Sequence, residues 1–114
     1  MKDTEIWLNY FAKYWKEKDI DKILSLFAGD VEYFETPKKK LDGKDAIKKE
    51  WVPIRQQGDI SLRFNILKIA VEGNEVEWDL SFTDKNGVNH SYCGLYTIKL
   101  NDAGLCKYFL QVEK

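Results

Sequence analysis

The sequence predicts one cone-shaped α+β domain, with three N-terminal helices packed on one face of a strongly bent, mostly antiparallel sheet. In the first half of the chain, apolar residues recur at helical spacing around one short strand, whereas the second half alternates as four successive strands. Helices that precede an antiparallel meander define an α+β layer structure. Because 114 residues suffice for one domain and not for two, we expect a single domain over residues 1–114.

The first half predicts two helices followed by a strand. Aromatic and aliphatic residues recur at three- and four-residue steps from Ile6 to Trp15, which indicates an amphipathic helix with a wide aromatic face. The same spacing from Ile20 to Phe27 predicts a second helix, which Ala28-Gly29 would end. Val31 to Phe34 then predicts a short strand, closed by Thr36-Pro37.

A third helix completes the helical half. A Lys-rich loop is expected up to Asp42-Gly43, and apolar residues from Ala46 to Ile54 then return to helical spacing. Pro53 would either kink or end this helix.

The second half predicts four strands separated by turns rich in Gly, Asn and Asp. The clearest strand alternates apolar residues with acids and Ser, as a half-buried strand does. The four predicted strands are Ile60–Val71, Asn74–Thr83, Val88–Leu100 and Leu105–Val112.

The turn between the second and third of these strands decides which side chains share a face. A three-residue loop, Lys85-Asn86-Gly87, pairs Trp78 with Gly94, whereas a two-residue loop, Asn86-Gly87, places Trp78 on the face of Leu95. The sequence leaves both registers open.

The three-residue loop would gather a ligand pocket wall on the sheet. With a last hairpin that turns at Asp102-Ala103, Tyr96 then lies beside Phe109 and Gly94 beside Gln111. This face combines aromatic rings with few polar groups, which is the composition of a pocket wall. Together with a tyrosine of the first helix, the candidate ligand-binding residues are Tyr14, Trp78, Phe82, Tyr92, Tyr96, Phe109 and Gln111.

Two ionisable residues are candidates for catalysis. Glu35 ends the first strand, and a carboxylate desolvated in an aromatic cavity can act as a general base. His90 is the single histidine and the side chain most suited to titrate near neutral pH.

The opposite face of the last strands would carry an apolar patch that nothing in the chain covers. Such patches mark interaction surfaces, and a two-fold pairing would cover this one with one symmetric interface. We therefore expect a homodimer through the outer patch, defined as Cys93, Leu95, Tyr108, Leu110 and Val112.

Charge and composition exclude several classes of partner. The net charge is −1 with acids and bases interleaved, so we expect no binding to nucleic acid or to anionic membranes. The absence of a signal peptide and of a long apolar segment predicts a cytoplasmic protein. Two separated cysteines and one histidine predict no metal site, and we expect no cofactor.

Several segments carry a family resemblance in their order and spacing. They are Asp19–Val31, Pro37, Asp42–Ile47, Val76–Trp78, Gly94–Tyr96 and Asn101–Gly104. In this arrangement the chain resembles the SnoaL-like branch of the nuclear transport factor 2-like superfamily. The resemblance implies a cone-shaped fold, whose members include isomerases, epoxide hydrolases, cyclases and non-catalytic proteins.

Neither of two catalytic sets that the resemblance implies is present at the corresponding positions. Glu35 or Thr36 falls where isomerase-like members have an acid before Pro, but Phe11 and Tyr96 fall at the two oxyanion-hole positions. Epoxide hydrolase-like members use Arg and two Asp, where this chain has other residues, namely Trp78, Leu80 and Gln111.

The leading function hypothesis is therefore a domain that binds a small apolar molecule, with or without proton-transfer chemistry on it. The alternative is a non-catalytic dimerisation or interaction module whose cavity is filled by its own aromatic side chains. An open cavity of a few hundred Å³ would favour the first hypothesis.

Overall fold

The computed structural model describes residues 2–114 and confirms the α+β class with helices on one side of a curved sheet. The helices are α1 (Lys2–Lys16), α2 (Ile20–Leu24), α3 (Gly43–Trp51) and a following 3-10 helix (Val52–Gln56). The strands are β1 (Phe27–Thr36), β2 (Lys39–Leu41), β3 (Gly58–Lys68), β4 (Asn74–Thr83), β5 (Asn89–Leu100) and β6 (Cys106–Glu113). No helix in this part of the chain is both long and apolar enough to cross a bilayer.

All six strands belong to one sheet, in the order β2-β1-β6-β5-β4-β3. The last four form the predicted antiparallel meander, and β1 joins it by running parallel to β6. The register shifts within three of these pairings, and such irregularities bend the strands that contain them.

The predicted end of the second helix is wrong. Helix α2 ends at Leu24, and Phe27 already belongs to β1, which is longer than the predicted strand Val31–Phe34. Phe27 pairs with Cys106 of β6, and its ring lies 5.5 Å from that of Phe109. This burial in the core overrides the helical spacing of the sequence.

The Lys-rich segment is also not a simple loop. Lys39–Leu41 forms β2, which pairs antiparallel with β1 and buries Leu41 opposite Tyr33. Backbone pairing satisfies the main-chain polar groups whatever the side chains are, so two lysines do not prevent a strand here.

Two further element boundaries bear on the sequence predictions: one decides between two alternatives, and the other differs from the prediction. Helix α3 ends at Trp51 and continues as the 3-10 helix that contains Pro53, so the proline follows the α-helix instead of kinking it. Strand β3 ends at Lys68, before the predicted end at Val71, and Val71 is almost wholly exposed.

The β4–β5 hairpin has the three-residue loop. Asp84 donates its N–H to the carbonyl of Val88 at 2.9 Å, and Gly87 takes the positive φ of +80° that this loop requires. Trp78 consequently pairs with Gly94, so the register that builds the aromatic face is confirmed.

The predicted register of the β5–β6 hairpin is wrong by two residues, because Tyr96 pairs with Gln111 and not with Phe109. The N–H of Asn101 bonds to the carbonyl of Leu105, which leaves a longer turn than expected, and the register shifts again beside Lys99. A shift of two residues preserves the side-chain alternation, so each residue keeps its predicted face.

A cluster of aromatic rings fills the core between the helices and the sheet. Phe11 of α1 is fully buried at the centre of this cluster. The centroids of seven other rings lie within 6.4 Å of its own: those of Trp7, Trp15, Phe27, Trp51, Phe64, Tyr96 and Phe109. The helices are thereby joined to the inner face of the sheet.

Gly94 is expected to tolerate no side chain. A Cβ there would lie 2.0 Å from the carbonyl oxygen of Val112 and 2.8 Å from Cζ2 of Trp78. We predict that Gly94→Ala lowers the free energy of unfolding by about 3 kcal/mol, measured by urea denaturation. Gly29→Ala is the control, since nothing lies within 4 Å of its Cβ position. Equal stability of the two variants would contradict the packing described.

Candidate functional site

A cavity of about 320 Å³ opens between the helices and the inner face of the sheet. Seven aromatic residues line it: Trp15, Tyr33, Trp51, Trp78, Phe82, Tyr92 and Tyr96. The polar lining residues are Glu35, Glu50, Gln57, Gln111 and Glu113. Pro53, Ile54 and Leu80 complete the lining. Apolar walls with a few polar groups are characteristic of small-molecule sites.

The cavity ends where the aromatic cluster begins. The rings of Trp78 and Tyr96 stack at 5.5 Å, and Tyr96 in turn lies 4.7 Å from Phe109. Phe109 is fully buried behind these rings. A ligand would therefore lie in front of Trp78 and Tyr96, whereas Phe109 belongs to the core.

The three indole N–H groups of the cavity wall differ in their partners. Trp15 donates to Oε1 of Gln57 at 2.9 Å, and Trp51 donates to the hydroxyl oxygen of Tyr33 at 3.2 Å. Nε1 of Trp78 is shielded from solvent and has no acceptor among the described residues. Because buried donors are nearly always paired, the unpaired N–H of Trp78 is an exception among the buried polar groups of the domain.

Two tyrosine hydroxyls of the lining are strongly desolvated. Burial raises the pKa of Tyr33 above its ordinary range, against the opposing effect of the Trp51 hydrogen bond. Burial also raises the pKa of Tyr96 well above the usual value, with a smaller contribution from Tyr33. Both hydroxyls are therefore neutral in the folded protein and available as hydrogen-bonding groups.

Carboxylates and one lysine meet at the cavity mouth. Nζ of Lys39 lies 3.0 Å from Oε2 of Glu35 and 3.6 Å from Oε1 of Glu50. The pKa of Lys39 is raised, first by its hydrogen bond to Glu35 and then by the charges of both acids. Oε2 of Glu35 is shielded from water and has no well-aligned hydrogen-bond donor within residues 2–114, so its interaction with this ammonium group at 3.0 Å is mainly one of charge.

The structure brings most of the sequence-predicted residues together. Glu35 and five of the predicted ligand-binding residues share the cavity lining: Trp78, Phe82, Tyr92, Tyr96 and Gln111. The remaining two lie elsewhere. Phe109 belongs to the core. Tyr14 is half-buried on α1, with its ring tilted against that of Tyr10 at 5.7 Å and the ammonium group of Lys22 over it.

His90 lies beside the cavity and not in its lining. Its ring stacks on Phe82 at 5.1 Å, and Nε2 lies 2.8 Å from Oδ2 of Asp84. The hydrogen bond with His90 is the main cause that lowers the pKa of Asp84. His90 thus stabilises the β4–β5 hairpin, and its catalytic role stays a prediction.

Sequence reasoning missed the part of the cavity that the helices build. Trp15, Glu50, Trp51 and Gln57 line it from α1, α3 and the end of the 3-10 helix. The sequence identifies Trp15 and Trp51 only as members of the apolar faces of two helices. Their perpendicular packing at 4.7 Å depends on how two helices cross, which local spacing does not report.

A second depression, of about 500 Å³, lies on the outer face of the sheet. It is lined mainly by serines of β3, β4 and β5 and by charged residues, including Arg63 and Asp79. Its few apolar groups make it a poorer ligand site than the aromatic cavity.

The fold and the cavity define a cone-shaped pocket domain with helices over a curved sheet. The family model of the SnoaL-like domain matches residues 7–105, so the chain belongs to this family. No curated protein sequence matches the chain significantly.

Three solved structures illustrate the range of proteins with this fold. The epoxide hydrolase/cyclase-like enzyme SalBIII, of pyran ring formation in the polyether salinomycin, superposes with TM-score 0.81 at 18% identity, over 99% of this chain and 91% of its own. RV0760c from Mycobacterium tuberculosis, in complex with estradiol-17beta-hemisuccinate, superposes with TM-score 0.77 at 17% identity, over 96% of this chain and 92% of its own. Delta 5-3-ketosteroid isomerase from Mycobacterium sp. superposes with TM-score 0.73 at 18% identity, over 96% of this chain and 92% of its own. At these identities the likeness shows the fold alone.

The buried acids predict a loss of stability in alkali. Burial raises the pKa of Cys106 to about 12 and that of Tyr33 further still. The ordinary pKa values of Cys and Tyr are about 9 and about 10. At a pH between these values and the raised ones, the unfolded chain has lost protons that the folded chain keeps. Stability is therefore complete below about pH 9 and falls as pH rises.

The check is a series of urea unfolding midpoints from neutral pH to about pH 11. Tyr33→Phe should flatten the alkaline decline, whatever it does to stability at neutral pH. Tyr10→Phe, which removes an exposed hydroxyl, should leave the slope unchanged. A slope that Tyr33→Phe does not alter would contradict the desolvation of this residue.

Proposed function

We propose that this protein binds a small, mostly apolar molecule in the aromatic cavity. The observation that carries the proposal is an open cavity of about 320 Å³ whose wall contains seven aromatic side chains. The volume lies within the range of small-molecule sites, which begins at about 300 Å³.

Proton transfer is the chemistry that we propose for a bound molecule. The same fold in a ketosteroid isomerase and in an epoxide hydrolase/cyclase-like enzyme supports this choice. Glu35 is the candidate base, because it is the carboxylate that β1 brings to the lining. Its contact with Lys39 has to open first, since Lys39 occupies the shielded carboxylate oxygen.

We also propose that the chain forms a homodimer through the outer patch. All five residues of the patch lie on the sheet face opposite Trp78. Leu95, Tyr108 and Leu110 are half-buried, whereas Cys93 and Val112 are exposed. Phe34 of β1 extends the patch, with its ring 5.7 Å from that of Tyr108. This face supports the alternative function, an interaction module, and is compatible with an occupied cavity.

Filling the cavity should weaken ligand binding. Leu80 lies in the cavity wall, so Leu80→Phe places extra volume in the space of the ligand. With naphthol as an apolar probe and tryptophan fluorescence as the readout, we expect at least a roughly tenfold loss of affinity, since the ligand loses its space and part of its buried area.

Leu95→Phe is the matched control, because Leu95 lies on the opposite face of the same sheet. It should bind naphthol as the wild type does. Equal binding by wild type and Leu80→Phe, or no binding by the wild type, would argue against a ligand site.

A charge in the outer patch should dissociate the dimer. Leu110 lies near the centre of the patch, beside Thr97 of β5 and Phe34 of β1. Leu110→Lys would bury an ammonium group in an apolar interface, so we expect a monomer by light scattering at tens of micromolar. Glu75→Lys, on the charged side of the same face, is the control. A wild-type mass equal to one chain would contradict the dimer.

A further inference from the structure

We infer that the ligand of this cavity is an organic cation, an apolar amine or ammonium compound whose charged nitrogen lies between Glu35, Glu50 and the aromatic walls. The inference rests on the proposed function, because it names the chemical class of the molecule that the cavity binds.

The charges of the lining all have one sign. Glu35, Glu50 and Glu113 line the cavity, and no Lys, Arg or His lies among its described lining residues. Lys39 contacts two of the acids from outside the lining. Three carboxylates and one ammonium group leave an excess of negative charge around a largely apolar space, which disfavours an anionic ligand and favours a cationic one.

The walls suit a cation as well as an apolar body. Trp15 and Trp51 pack edge to face at the helix side, and Trp78, Phe82 and Tyr92 line the sheet side. Tryptophan and tyrosine rings attract ammonium groups through their electron-rich faces, and such aromatic cages recognise quaternary ammonium compounds. Carboxylates at the mouth would add the attraction of opposite charges.

Lys39 shows that this pair of acids can hold an ammonium group. Its Nζ lies between Glu35 and Glu50, at 3.0 Å and 3.6 Å from their carboxylate oxygens. The Lys39 side chain is 57% exposed and is carried by the three-residue strand β2 at the sheet edge. A ligand ammonium that enters the cavity can therefore replace that of Lys39, which turns outward into solvent.

Two probes of equal shape separate charge from shape. The first is benzyldimethyl(hydroxyethyl)ammonium, and the second is its neutral isostere in which a quaternary carbon replaces the nitrogen. Isothermal titration calorimetry would measure both affinities at neutral pH. We expect the cation to bind at least roughly tenfold more tightly, as the charge interacts with both rings and carboxylates.

Three variants locate the charge effect. Glu50→Gln should weaken binding of the cation several-fold and leave the isostere unchanged. Lys39→Met should strengthen binding of the cation, because it removes the competing ammonium group, and again leave the isostere unchanged. Lys40→Met is the matched control, since Lys40 pairs with Glu32 and does not line the cavity. It should change neither affinity.

The outcomes distinguish the two proposals. If the isostere binds as tightly as the cation, or Lys39→Met weakens the cation, the cationic class is wrong, whereas the proposed small-molecule function stands. If neither probe binds and naphthol does not bind either, both proposals fail.

Discussion

The packing of Phe11 is the interaction on which the rest of the structure depends. Its buried ring contacts aromatic rings of α1, α3 and four strands, so one side chain ties both layers of the domain together. Each edge-to-face or offset contact adds to the area that these rings bury. The same cluster fixes how deep the cavity reaches, because the stacked rings of Trp78 and Tyr96 form its floor. Stability and cavity shape therefore have one origin.

The sequence predicts the meander well because its signals there are local. The alternation of β4 is visible in a few neighbouring residues, whereas the turn at Gly87 allows two loop lengths. The structure has the three-residue loop, which places Trp78, Tyr92 and Gln111 on one face. Local sequence signals mispredict the elements whose structure depends on contacts with residues distant in the sequence. Phe27 continues a helical spacing but pairs with Cys106 at the far end of the chain, and β2 exists because β1 offers it a partner. The error in the last hairpin was harmless because a shift of two residues keeps every face.

The candidate site was only half predictable for the same reason. Its sheet wall follows from strand alternation, whereas its helix wall requires the crossing of α1 and α3 that brings Trp15 against Trp51. The charged residues at the cavity mouth are even harder to predict than the helix wall. Glu35, Lys39 and Glu50 lie on three different elements, and only the β1–β2 hairpin and the seating of α3 bring them within an ion-pair distance. The fold is established by the family match, while the ligand depends on these chain-specific residues.

The parallel pairing of β1 with β6 has a consequence for synthesis on the ribosome. Residues 27–36 are translated before the other five strands of this sheet, but their partner, residues 106–113, is the last of the six to be translated. Until then one edge of β1 is unpaired, covered on its other side by the short β2 alone. Contacts so distant in sequence also form slowly. Glu35 and Gln111 come from these two strands, so a nascent chain that stops before β6 would have neither a closed sheet nor a complete cavity.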